Sequence, residues 1–87
     1  MDYLESDIKN LKNWKRVGNK LQRSLKFKDF VEAFGFVAKV ALISEKMNHH
    51  PDLRIVYNIV DIELTTHDIN SISKNDITLA GKIDELT

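Results

Sequence analysis

The stretch DFVEAFGFVAKVALISEKM, residues 29–47, decides the fold that the sequence predicts. Its apolar residues recur at helical spacing. Asp29 stands three residues before Glu32, which is typical of a capping box at the start of a helix. Pro51 disfavours helical geometry at the residue before it, so the helix must end close to that point. The sequence therefore predicts one long helix, Phe30–Met47.

This predicted helix is apolar around much of its circumference. Phe36, Val40 and Ile43 widen the apolar surface beyond a single stripe, and such a helix is buried on two sides. One side would rest on a sheet, and the other would meet a second helix or another subunit. A monomer of this size buries a modest part of its surface. We therefore expect a homodimer or a homotetramer of two dimers, with Val40 taken as an outward-facing position.

The residues before the long helix predict a short helix and a hairpin. Apolar residues at helical spacing over residues 2–12 indicate an amphipathic helix. Trp14–Val17 and Lys20–Phe27 are typical of two strands, with Gly18-Asn19 as a two-residue loop. We expect Trp14 to pack against the sheet.

A second hairpin follows the long helix. Apolar residues stand at odd positions up to Tyr57 and at even positions from Val60. A continuous strand would place the two sets on opposite faces, whereas a tight hairpin with Asn58-Ile59 as its loop places them on one face. The predicted cross-strand pairs are Tyr57–Val60, Ile55–Ile62, Leu53–Leu64 and Arg54–Glu63.

The last element is a helix that Ser73 would cap, with Asp76 three residues on. The predicted order is α-β-β-α-β-β-α. Two hairpins can form one four-stranded antiparallel sheet with the three helices on one face, an α+β fold. At 87 residues the chain is expected to form a single domain over 1–87.

Composition excludes several classes of protein. Lys+Arg and Asp+Glu number 13 each, and this zero net charge argues against direct nucleic-acid binding. Residues 1–28 are nonetheless basic and residues 49–87 acidic, so either a basic face meets an anionic partner or the two fields cancel. The chain has no cysteine for a disulfide or a thiolate zinc site. With neither a membrane-spanning apolar run nor a secretory leader, we expect a cytoplasmic protein.

All three histidines fall between residues 49 and 67. Extending the hairpin ladder pairs His50 with His67, and Glu45 lies one helical turn before His49. Imidazoles at one corner can run acid–base chemistry near neutral pH or bind a divalent metal. Metal binding is disfavoured, because adjacent histidines seldom converge on one ion and the His-x-x-x-His spacing is missing.

The sequence EKMNHHP, from Glu45 to Pro51, resembles the signature of the pterin-4a-carbinolamine dehydratase family. Further features match that family in order, and they are Phe27–Phe30, Ala33–Phe36, Tyr57, Thr65-Thr66-His67 and Asp76. The similarity extends from about Trp14 to the C-terminus. It implies the same α+β fold, and dehydration of 4a-hydroxytetrahydropterin to quinonoid dihydropterin by a hydro-lyase that uses neither metal nor organic cofactor.

The resemblance also implies roles for individual residues. His49 and His67 would be the acid–base pair, and His50 would mainly hold the pterin. The residues implied to line the substrate pocket, beside His49 and His50, are Asn48, Thr65, Thr66, His67 and Asp68.

Two signature positions, Glu45 and Asp76, admit two roles each, and Tyr57 has one mixed role. Glu45 would orient His49 or be a solvated residue near the helix end. Asp76 would serve the site or act only as a helix cap and dipole partner. Tyr57 would be half packed in the core and half hydrogen-bonded.

Two other function classes stay open from the sequence. The wide apolar helix would support a non-enzymatic dimerisation or regulatory module, and some animal members of the family are dimerisation cofactors of a homeodomain transcription factor. The three histidines would support a small metal-binding domain.

Overall fold

A computed structural model describes residues 2–87 of the chain. Within this range three α-helices and four β-strands follow the predicted order, which confirms the α+β class. The elements are α1 (Glu5–Lys9), β1 (Lys15–Val17), β2 (Lys20–Lys26), α2 (Phe30–Met47), β3 (Asp52–Val56), β4 (Ile59–Leu64) and α3 (Lys74–Glu85), with a 3₁₀ turn at His67–Ile69. None of the helices in the described range combines the length and apolarity needed to cross a membrane.

The strands form one antiparallel sheet in the order β1-β2-β4-β3. Because side chains alternate between the two faces of a strand, the central strands bury one face and leave the other polar. The buried face carries Leu21, Leu25, Val60, Ile62 and Leu64. The helices complete the same core with Ala33, Phe36, Val40, Leu79, Ala80 and Ile83.

The first helix is shorter than predicted, since α1 spans only Glu5–Lys9 of the expected residues 2–12. Leu11 lies beyond it, in a turn that the Trp14 N–H closes on the Leu11 carbonyl at 3.0 Å. Trp14 is buried, and its indole N–H donates to Asp84 of α3 at 2.9 Å. Trp14 is therefore part of the core, and its hydrogen bond connects the residue before β1 to the last helix.

The long helix α2 begins and ends at the predicted residues. Asp29 accepts the Glu32 N–H at 2.9 Å, but the Glu32 carboxylate reaches one residue further back, to the Lys28 N–H at 3.1 Å. Val40 is fully buried, so its assignment as an outward-facing position is wrong. The large apolar residues of α2 that lie exposed are instead Phe30, Val31, Phe34 and Leu42.

The second hairpin has the predicted faces but a different register. Its loop is Tyr57-Asn58, and Leu53 pairs with Ile62 rather than Leu64. Arg54 therefore lies opposite Asp61 instead of Glu63. A slip by two residues keeps every side chain on its predicted face, because the period of a strand is two.

Asn58 explains this register. Its side-chain amide donates to the Phe27 carbonyl at 2.9 Å, and its own carbonyl accepts the Phe27 N–H at 2.8 Å. These bonds hold Asn58 in the loop, beside the end of β2. Tyr57 then takes the positive φ of the turn (52°) and is 63% exposed, so the expectation that it is half packed in the core is wrong.

Candidate functional site

The end of α2 directs His49 toward α3. Asn48 adopts left-handed geometry (φ 52°, ψ 42°), and the His49 N–H donates to the Ser44 carbonyl at 3.1 Å. This reversal takes His49 off the helix. Its Nε2 lies 2.6 Å from Oδ1 of Asp76, and the His49 side chain is 12% exposed. A largely buried hydrogen bond thus holds the histidine against α3.

Asp76 is fully buried and uses its two oxygens differently. Oδ1 faces His49, whereas Oδ2 accepts the Ser73 N–H at 2.9 Å and the Thr66 hydroxyl at 2.8 Å. The Ser73–Asp76 bonds are the predicted capping box of α3. Asp76 is therefore a helix cap and at the same time the hydrogen-bond partner of His49.

Glu45 does not contact His49, and it lies exposed near the helix end, the second of the two roles considered. Its Oε1 lies 2.6 Å from Nε2 of His50, and both side chains are mostly exposed. Glu45 would face His49 only if the helix continued, but the left-handed Asn48 ends it. An exposed pair of this kind contributes little to stability.

The loop after β4 carries the remaining predicted residues. Thr65 is buried, and its hydroxyl donates to the Asn19 carbonyl at 2.8 Å. The hydroxyl proton of Thr65 is therefore already engaged in a hydrogen bond within the protein. His67 and Asp68 lie exposed in the 3₁₀ turn. The β3–β4 ladder ends at Asp52 and Glu63, so it does not extend to pair His50 with His67 as expected.

A side chain rather than the ladder links this loop to His49. Thr66 directly precedes His67 and bonds the carboxylate that holds His49. Pro51 separates His50 from the start of β3. Tyr57 lies at the opposite end of that strand and is not brought to this corner.

Sequence reasoning missed one member of this cluster. The Ser73 hydroxyl lies 2.6 Å from Thr66 Oγ1, in addition to capping α3. The capping-box spacing identified Ser73 as a helix start, but nothing in the sequence indicates that a cap residue contacts Thr66.

Within the described residues, the surroundings of the site hold no preformed metal centre. Across residues 2–87, no three His, Asp or Glu side chains converge as metal ligands would. A concavity of about 640 Å³ lies on the polar face of the sheet, and another of about 520 Å³ lies between the C-terminal ends of α2 and α3. No histidine lines either of them.

A family model described as pterin 4 alpha carbinolamine dehydratase matches residues 2–86. The chain belongs to this family. The resemblance that the motifs indicated is therefore confirmed, and the match includes His49, His50, His67 and Asp76.

Relatives in distant organisms support the same membership. A protein of Prochlorococcus marinus is 49% identical over 83 residues, which cover 95% of this chain and 87% of the relative. A protein of Sulfurisphaera tokodaii is 45% identical over 83 residues, covering 95% and 89%. Both bear the name pterin-4-alpha-carbinolamine dehydratase as a provisional assignment.

Two solved structures share the fold. The transcriptional coactivator/pterin dehydratase of Brucella melitensis superposes with a TM-score of 0.90 at 39% identity, covering 99% of this chain and 98% of that one. A pterin dehydratase-like protein identified as a RuBisCO assembly factor in the alpha-carboxysome has a TM-score of 0.73 at 21% identity, covering 85% and 88%. The second likeness concerns the fold alone.

Proposed function

We propose that the chain is a cytoplasmic 4a-hydroxytetrahydropterin dehydratase that releases water and quinonoid dihydropterin. One observation carries the proposal: His49 is bound through Nε2 to the buried Asp76. A carboxylate that orients an imidazole is the arrangement used by acid–base histidines in enzymes. Membership of the dehydratase family gives the reaction class.

The reaction requires two proton transfers. One proton leaves ring nitrogen N5, another joins the departing 4a-hydroxyl, and the C4a–O bond breaks as the C4a=N5 bond forms. A neutral imidazole accepts a proton and an imidazolium donates one near pH 7. We propose His49 and His67 as this pair. Two acids on different sides of the ring would also serve both epimers of the 4a-hydroxyl.

Substrate binding is proposed for exposed polar residues near His49 and His67 in the chain. Asn48 and His50 flank His49, Asp68 follows His67, and all three are exposed. The hydroxyls of Thr65 and Thr66 already have partners inside the protein, so their proposed contribution is to shape the pocket. The proposed reaction needs proton transfer alone, and we propose no metal or organic cofactor.

A direct assay tests this function. Stopped-flow mixing of the chain with enzymatically generated 4a-hydroxytetrahydropterin should accelerate formation of the quinonoid product above its spontaneous rate. The matched control is His49→Ala at the same concentration, which should lose most of the acceleration. An unmutated, folded chain that leaves the spontaneous rate unchanged would contradict the proposal.

The exposed face of α2 favours a second candidate function, a dimerisation or cofactor module. Phe30, Val31, Phe34 and Leu42 are about half to three-quarters exposed on it. Exposed apolar patches of this kind mark protein interaction sites. The Brucella structure carries the description of a coactivator together with that of a dehydratase. For this chain we propose that the face joins copies into a homodimer or homotetramer.

A further inference from the structure

A chain of hydrogen bonds leads from the start of α3 to His49. Ser73 Oγ lies 2.6 Å from Thr66 Oγ1, and Thr66 Oγ1 lies 2.8 Å from Oδ2 of Asp76. The other oxygen of Asp76, Oδ1, lies 2.6 Å from Nε2 of His49. Asp76 at the centre of the chain is completely buried.

The direction of every proton in this chain follows from the hydrogen-bonding groups. A carboxylate only accepts, so the Thr66 hydroxyl donates to Asp76. A hydroxyl has one proton, and therefore Thr66 must accept from the Ser73 hydroxyl. The Ser73 oxygen in turn accepts the Asn75 N–H at 3.2 Å. All the protons in the chain point toward Asp76.

The same rule fixes the proton on His49. Because Oδ1 of Asp76 accepts, the proton of a neutral His49 ring lies on Nε2, and Nδ1 is the proton acceptor. Nδ1 makes no hydrogen bond within residues 2–87. Since each buried side-chain nitrogen or oxygen in that range has a partner, Nδ1 reaches solvent.

We infer that Thr66 is a positioning residue, acting through Asp76, for the His49 tautomer whose free nitrogen is Nδ1. The inference deepens the proposed function and rests on it, since it makes Nδ1 the nitrogen that exchanges a proton with the pterin. Thr66 and the Ser73 N–H hold Oδ2, which keeps Oδ1 aimed at His49. Without the Thr66 hydroxyl the carboxylate is less restrained, and the Nδ1–H tautomer becomes accessible. Outer hydrogen bonds orient metal-bound histidines in the same way.

Nuclear magnetic resonance of the ¹⁵N-labelled full chain tests this. Two-bond ¹H–¹⁵N correlations of the imidazoles, at a pH where the rings are neutral, report which nitrogen carries the proton. The compared proteins are the unmutated chain, Thr66→Val, Thr66→Ser and the control Ser44→Ala. Ser44 is also buried, but its hydroxyl donates to the Val40 carbonyl at 2.8 Å and does not contact Asp76.

We expect Nε2–H on His49 in the unmutated chain, Thr66→Ser and Ser44→Ala, and a mixture of tautomers in Thr66→Val. The kcat of Thr66→Val should fall about 10-fold with little change in KM. This factor is at the lower end of the typical loss of activity when an outer hydrogen bond is removed. Thr66→Ser should restore it. If Thr66→Val does not fold, Thr66→Cys replaces it, because a thiol is a weak donor of similar size.

Two results would overturn the inference. One is Nδ1–H on His49 in the unmutated chain, and the other is a folded Thr66→Val or Thr66→Cys with the tautomer unchanged. An unmutated chain without dehydratase activity, whose His49 still changes tautomer in Thr66→Val, would refute the proposed reaction and support the positioning of His49 by Thr66.

Discussion

Nε2 of His49 and Oδ1 of Asp76 lie 2.6 Å apart, although 27 residues separate them in the chain. Asp76 also accepts the Ser73 N–H at the first turn of α3. One buried carboxylate therefore serves both helix capping and the orientation of an imidazole. Changes at Asp76 should alter stability and catalysis together, whereas changes at His49 should affect mainly catalysis.

The acid–base assignment predicts that His49→Ala and His67→Ala each reduce turnover substantially. Positioned proton transfer typically contributes about 10²–10⁴-fold per step, so the double variant should lose nearly all of the enzymatic acceleration. Stopped-flow assays would measure kcat, with circular dichroism to verify the fold. Wild-type activity in the double variant would show that other groups transfer the protons.

His50 should contribute to binding rather than to the chemical step. We expect His50→Ala to raise KM more than it lowers kcat, because its only side-chain hydrogen bond within residues 2–87 is the exposed one to Glu45. Glu45→Gln is the matched control and should change both constants by less than His50→Ala. A loss of kcat in His50→Ala as large as that in His49→Ala would move His50 into the acid–base pair.

The proposed elimination uses proton transfer without a Lewis acid, so it should not depend on metal. Activity should survive exhaustive EDTA treatment of protein purified without a nickel column, as measured by the same stopped-flow assay before and after chelation. Activity that disappears with EDTA and returns with zinc would favour the metal-binding alternative.

The buried position of Asp76 predicts a large stability effect. Asp76→Asn should lower the free energy of unfolding by about 1–3 kcal/mol, because the charged acceptor of three hydrogen bonds is replaced by an amide. Asp29→Asn is the control, since Asn caps a helix about as well as Asp does at such a position. Urea denaturation would measure both. Equal small changes in the two variants would contradict the importance of the buried network.

The exposed face of α2 predicts self-association. Leu42→Lys should dissociate the assembly, because Leu42 is 74% exposed in the single chain and a charge there would oppose burial against a second copy. Thr78→Lys on α3 adds the same charge at an exposed polar position and should leave the assembly intact. Sedimentation equilibrium would measure the mass. A stable monomer at micromolar concentration for the unmutated chain would contradict the predicted oligomer.

The sequence by itself determined the order of the elements and the faces of the second hairpin. Apolar spacing and the Asp29 cap are local properties, and they gave the bounds of α2 correctly. The shift from odd to even apolar positions required a hairpin, because only a turn returns both sets to one face. Several spaced motifs in the right order indicated the family, and the capping box placed Asp76 at the start of α3.

Only the tertiary structure decided which of these residues meet. The hairpin register depends on Asn58 binding Phe27 of another segment, a contact that no local pattern encodes. Val40 faces the core because the sheet lies on that side. A helix that is apolar around much of its circumference does not show by its sequence which side that is. Likewise, the left-handed geometry of Asn48 ends α2, and as a result Glu45 contacts His50 and His49 contacts Asp76. The periodicity of apolar residues indicates contacts within a turn or two of the same element. Packing between segments that are distant in the chain determines which residues of those segments contact each other.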